Sequence, residues 1–392
     1  MGVLRLFLAL SVLLGHTRGH GFFGLSFLYS EIAVQTFFMI SGFYMALVLN
    51  EKYNRPSDYG TFIQQRFLRL FPTYLILIAA IMVIDLLVGA VTGQAWGSLK
   101  SWSEHHDIMS SLAIVTLIIE NLIIFGQDIV MLLTMDPANG HFHLFWTDNN
   151  VKPVSGAFFL LIGSSWSLSV EFLFYLIAPF LVRRSWRVQL AIFAACAGVR
   201  AATYFLVKYF AQQDAYHWIY CLFAPNLFFF MAGSLAYVIY RTYREQLRAF
   251  AMSKPWILLP FVVLGLDYCR FPHWRDLYLL WMPLVFVTIP LLFALTSRSR
   301  MDRLIGEMSY PCYLIHPHVL MATLPLLRGS KQEWLIGPLS FAITLTICVL
   351  FYRFVESKTE RFRESLYRKA HPKDYIQPPS SRAAETPASS LQ

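Results

Sequence analysis

Charge is scarce in this chain. Of its 392 residues only 14% are Asp, Glu, Lys or Arg, while 57% are hydrophobic, and the mean hydropathy is +0.51. A soluble protein of this length carries about a quarter charged residues, so the deficit points to a membrane protein. Cysteine is sparse as well. Cys196, Cys221, Cys269, Cys312 and Cys348 are scattered through apolar context without a CxxC spacing and read as small hydrophobic fillers. No HExxH motif, P-loop, Gly-rich dinucleotide motif or internal repeat is present. No A-x-A site follows the first apolar stretch, so a cleaved signal is not expected.

What the chain has instead is long apolar runs. "YLILIAAIMVIDLLVGAV" and "LIGPLSFAITLTICVLFYRFV" approach or reach the roughly 20 residues that cross hydrocarbon. A β-barrel would show short alternating segments, so the expected class is all-α and polytopic. Candidate spans fall near 3–25, 30–50, 68–91, 108–126, 166–182, 188–207, 217–240, 255–268, 276–296, 308–327 and 335–355. Basic clusters such as "RRSWR", "SRSRMDR" and "RFVESKTERFRESLYRK" belong in the cytoplasm by the positive-inside rule. As short connections between spans they give no reason to expect a nucleic-acid partner. The loop after residue 50 and "RRSWR" then share a side, which requires an even number of crossings between them. One candidate in 68–182 must therefore be incomplete, the weakest being 108–126 with Glu120 and Asn121; a short extra span at 154–165 is the competing repair. The expectation is about ten transmembrane helices with both termini cytoplasmic. A membrane domain would cover 1–360, with a cytoplasmic, disordered tail over 361–392, whose end is rich in Pro and Ser.

Ionisable residues inside spans are functional candidates by default. "RLFLALSVLLGH" places Arg5 and His16 eleven positions apart. At about 100° per residue that is three turns plus roughly 20°, so both leave one face, with His16 about 16 Å deeper. A histidine there suits proton transfer near neutral pH; a snorkelling arginine and a packing histidine are the plainer reading. "FMISGFYM" sets Ser41 and Gly42 mid-helix, for close helix packing or for exposing backbone to a ligand. Arg66 and Arg69, at i and i+3, suit either donor phosphates or lipid headgroups. "SSWSLSVEFLFYLIAPF" carries Glu171 at the head of an apolar run, able to orient a histidine or bind a hydroxyl, and "GEMSYPCYLIHPHVL" carries Tyr310 and His316. His16 and His20, with Glu31 nearby, have a metal-ligand spacing, but no supporting motif accompanies them, and no metal is expected.

Arg5 and His16, "FFMISGF", "RFLRLFPTY", "WSLSVEFLFYLIAP", "FFFMAGSLAY", "GEMSYPCYLIHP" and "FVE" occur in the order found in membrane acyltransferase family 3, which the chain resembles over about residues 3–356. The resemblance implies a ten-helix integral membrane O-acyltransferase in the cell (inner or plasma) membrane. It would use acyl-CoA, usually acetyl-CoA, as a co-substrate with no permanently bound cofactor. The acceptor would be a hydroxyl of a carbohydrate or related molecule. It implies Arg5 and His16 as residues required for activity, with Glu171 as the motif carboxylate. It places Arg66, Arg69, Ser41 and Gly42 at the donor site, and Gln35, Trp166, Tyr310 and His316 at positions of less defined role. One departure is "LFAPNLFFFMAG", where the family often has an Arg-Phe pair. A proton-coupled transporter or flippase, using Arg5, His16 and Glu171 as a relay, is the alternative from another class.

Overall fold

A computed structural model describes residues 1–370 apart from 18, 24, 26, 146–151 and 268–273, and only the backbone of 267, 274–277 and 370. Cys269 and the tail from 371 onward lie outside the described residues. The chain is helical almost throughout. Its first half contains α1 (Gly2–Gly15), α2 (Ser30–Glu51), α3 (Tyr59–Thr92), α4 (Leu99–His105), α5 (Ser111–Ile123), α6 (Gln127–Val130), α7 (Trp166–Leu181) and α8 (Trp186–Phe205). The second half adds α9 (Ala215–Cys221), α10 (Phe223–Thr242), α11 (Arg244–Ser253), α12 (Leu259–Asp267) and α13 (Trp274–Thr296). It ends with α14 (Arg300–Leu327), α15 (Ile336–Phe351) and α16 (Ser357–Ala370). Six helices among the described residues are long and apolar enough to cross a bilayer, or seven with the α11–α12 pair, bent by 95°, counted as one. Three more apolar helices, α1, α5 and α7, are shorter, and the 28-residue α14 carries charged and polar residues over its first half.

Two expected spans come out differently, each for a local reason. The first helix stops at Gly15 instead of reaching residue 25, because the following stretch is glycine-rich and Gly19 and Gly21 take positive φ of 94° and 50°. His16 is therefore the cap of α1 and not an interior residue. The candidate at 108–126 shrinks to the 13-residue α5, ended by Ile124 in the left-handed region at φ 67°. The short segment at 154–165 is not a span either. It opens with strand β3 (Val154–Ser155) of a small antiparallel sheet with β1 (Thr134–Met135) and β2 (Phe142–His143), followed by one 3-10 turn. At the other end, α16 carries regular structure past the boundary expected at 360, to Ala370.

α5 stays in place through a buried polar knot. Asn121 donates to the carbonyls of Leu117 (2.8 Å) and Phe159 (3.0 Å), while its Oδ1 accepts from the Leu161 N–H (2.7 Å). Tyr74 on α3 donates to the Asn121 carbonyl at 2.6 Å. Asn121→Ala leaves buried backbone groups unsatisfied, at a cost of about 1–3 kcal/mol each. It is expected to lower the thermal midpoint of the detergent-solubilised protein, which a thermal-unfolding assay reads directly.

Small residues set how closely the central helices approach. α1 meets α14 backbone to backbone: a Cβ on Gly2 would lie 1.5 Å from the Asp302 carbonyl oxygen, and one on Gly306 would lie 2.9 Å from Gly2 Cα. The Asp302 carboxylate clasps the start of α1 by accepting from the N–H groups of Gly2 (2.8 Å) and Val3 (3.0 Å). α2 and α10 meet in the same way at Gly42 and Gly233.

Candidate active site

α1, α2, α7 and α14 enclose a cavity of about 300 Å³. α1 contributes Arg5, which lies one turn after Gly2, where the close α1–α14 approach also brings the Arg5 Nη1 to 3.6 Å from a Cβ built on Gly306. α2 contributes Ser41, with Val34 and Phe37 deeper in, and α7 contributes Ser167, Glu171 and Tyr175. α3 sends in Arg69, and α14 lines one wall from Glu307 through Tyr310 to Tyr313. Five residues singled out in the sequence thus share one space: Arg5, Ser41, Arg69, Glu171 and Tyr310.

Charge in this space is balanced by partners. Glu171 Oε1 accepts from Ser41 Oγ at 2.8 Å and from the Tyr175 hydroxyl, so two donors fix the carboxylate. Arg69 Nη2 lies 4.0 Å from Glu307 Oε1, each side chain 25% exposed. Glu307 also lies in the field of Arg5, Arg66 and Arg363, which makes one carboxylate the counter-ion for several guanidinium groups. Arg66 is buried one turn before Arg69, between the rings of Phe62 (5.6 Å) and Tyr175 (5.9 Å). Tyr310 donates to the Leu70 carbonyl at 2.9 Å and ties α14 to α3.

His16 sits elsewhere. It does not line the cavity, and the pairing with Glu171 suggested by the sequence is not made. Its Nδ1 lies 2.7 Å from the Val12 carbonyl oxygen, and its ring faces His316 at 5.4 Å between centroids. A carbonyl only accepts, so Nδ1 carries the proton and Nε2 keeps its lone pair. His316 repeats the arrangement, with Nδ1 2.7 Å from the Tyr313 carbonyl, and is fully buried where His16 is exposed. Tyr313 joins the two regions. It is the deepest cavity residue on α14, its ring contacts Phe37 (6.0 Å) and His316 (5.9 Å), and its hydroxyl accepts from Ser167 at 2.8 Å. The cavity lining is therefore linked to the histidine pair through Tyr313 and His316.

The other candidates do not line the cavity. Gly42 faces Phe230 of α10, Trp166 packs between Phe38 (6.4 Å) and Tyr220 (4.8 Å), and Gln35 accepts from the Tyr278 hydroxyl at 2.9 Å. No group of three or more potential metal ligands occurs among the described residues. Glu307 and Tyr175 are the notable omissions of the sequence reading. Both were within reach of helix geometry, since Tyr175 is i+4 from Glu171 and Glu307 is i−3 from Tyr310.

The model of family 3 acyltransferases, described as an acyltransferase domain, matches residues 1–353. No curated protein and no solved structure matches the chain.

Proposed function

The chain belongs to acyltransferase family 3, and from that premise we propose that it transfers an acyl group, acetyl as the simplest case, from acyl-CoA to a hydroxyl of a carbohydrate or glycoconjugate at the cell membrane. The family and the apolar helices make it a multi-pass membrane acyltransferase. The six long helices, the bent α11–α12 pair, α1, α7 and α14 make ten crossings in our reading, with α5 left out and both ends cytoplasmic. The arginine-rich end of the cavity then opens to the cytoplasm, where acyl-CoA is found.

One observation carries the reading: a cavity lined by arginines reaches Tyr313, whose ring contacts His316, and His316 in turn faces His16. In the proposed mechanism Arg66 and Arg69 hold donor phosphates at the mouth, and Arg5 supports the donor inside. A space of about 300 Å³ is at the small end of ligand pockets. It suits the slender pantetheine arm, with the nucleotide left outside. His16 Nε2 takes the proton of the acceptor hydroxyl, the oxygen attacks the thioester carbonyl, the C–S bond breaks, and the imidazolium gives that proton to the leaving sulfur, so that CoA departs as the thiol and His16 is restored. Ser41 and Tyr175 keep Glu171 fixed beside the donor path. Acyl-CoA is a co-substrate here, and no resident cofactor enters the scheme.

The test uses purified protein in nanodiscs with labelled acetyl-CoA and a panel of glycans. Label should appear on the acceptor with the wild type. Intact substrate moved across the bilayer without label would replace this reading by the transporter one.

A further inference from the structure

Arg363 stands on α16, beyond residue 353 where the family match ends. α16 nevertheless folds back on α3 beside the arginine-rich mouth. Gln65 Nε2 donates to the Arg363 carbonyl at 3.0 Å, and four residues on, the Tyr367 ring meets Tyr53 edge-on at 5.5 Å with Lys52 Nζ 3.8 Å from its centroid. These contacts set Arg363 next to Arg66 and Arg69, and all three repel one another. The nearby carboxylates are Glu307, shared with Arg69 and Arg5, Glu171 and Glu356, and Glu360 on α16 itself.

This clustering is costly and incompletely satisfied. Arg66 Nε and Arg363 Nε are both buried with no hydrogen-bond partner, and Arg66 is only 6% exposed. A buried guanidinium edge without an acceptor loses its hydration for nothing, and like charges crowding it raise the cost. A single anion with several oxygens would bridge such edges, and phosphate matches the guanidinium fork better than any other common group.

We propose that Arg363 completes a three-arginine phosphate site with Arg66 and Arg69, and that α16 is a strap holding the nucleotide phosphates of the donor at the mouth. The proposal rests on the acyl-CoA reading above. It adds a donor-binding residue from outside the family-matched region, and it makes α16 part of the binding machinery and not a mere exit from the membrane.

The experiment measures binding of CoA, dephospho-CoA and pantetheine to the full-length protein in nanodiscs of zwitterionic lipid, and again with anionic lipid added. Wild type, Arg363→Gln and Arg363→Lys are compared, with thermal midpoints as a check on folding. Arg363→Gln is expected to weaken CoA about tenfold, the scale of one charge-assisted hydrogen bond. Pantetheine affinity and the thermal midpoint should hold, and Arg363→Lys should restore part of the loss. Equal CoA binding by wild type and Arg363→Gln overturns the proposal while leaving the donor reading intact. So does a parallel loss of CoA and pantetheine, which means a structural role. So does an effect seen only as a changed dependence on anionic lipid, which assigns the arginine to a headgroup. A wild type that binds no CoA overturns both readings together.

Discussion

His16→Ala is expected to lower acyl transfer by about 10²–10⁴-fold, the usual contribution of a positioned general base, without weakening donor binding. The two halves of that expectation come from one geometric fact. His16 does not line the cavity, so nothing it contributes is used in holding CoA. Its chemistry is set by Val12, whose carbonyl oxygen lies 2.7 Å from Nδ1 and leaves Nε2 free to accept a proton. Alanine removes that lone pair. Glutamine keeps much of the side-chain volume but offers no base, so His16→Gln should be as inactive as His16→Ala. Initial rates at saturating acetyl-CoA, set beside CoA binding to the same preparations, check both halves. Activity within about tenfold of wild type would remove His16 from the proton transfer, since that is below the range a general base contributes. The same proteins separate base from acyl carrier. Wild type incubated with acetyl-CoA and no acceptor, then analysed by intact mass, stays unmodified if His16 only moves a proton.

Much of this arrangement was legible in the sequence, and the gaps have physical causes. The spacing of Arg5 and His16 gave a shared face and a large difference in depth. It could not show that glycines after Thr17 would end the helix and turn an interior histidine into a cap. The weakest candidate span, at 108–126, betrayed itself by Glu120 and Asn121, and Asn121 proves to be the residue that knots α5 to its surroundings. Partners across long sequence separations were out of reach. Nothing local in "FMISGFYM" says that Ser41 will meet Glu171, 130 positions away, or that Tyr310 will find the Leu70 carbonyl. Glu307 was hidden for a different reason. It stands just before the span expected from residue 308, and although it lies one turn from Tyr310, it is the converging fields of four arginines that mark it out.

Ser41 and Gly42 are neighbours in one motif, yet the structure divides their roles, and Gly42→Ala is expected to show it by a loss of fold and not of a contact with the donor. α2 and α10 cross with almost no space between their backbones. A Cβ on Gly42 would lie 2.0 Å from the Phe230 carbonyl oxygen, and one on Gly233 would lie 1.8 Å from that of Met39. Neither obstacle is a side chain that can swing aside. The helices must separate, and overpacking of this kind costs about 1–3 kcal/mol or more. Because the clash is with backbone, truncating Phe230 should not rescue Gly42→Ala. Ser41 points the other way, into the cavity, where it holds Glu171. Ser41→Ala should therefore keep its thermal midpoint and alter only kinetics. Moving α2 would also carry Ser41 off Glu171, so Gly42→Ala should lose stability and activity together. Thermal midpoints and donor KM for the two variants separate the cases. A Gly42→Ala protein of normal stability with a raised donor KM would mean that the glycine backbone faces the donor and that the α2–α10 crossing is looser than its geometry requires.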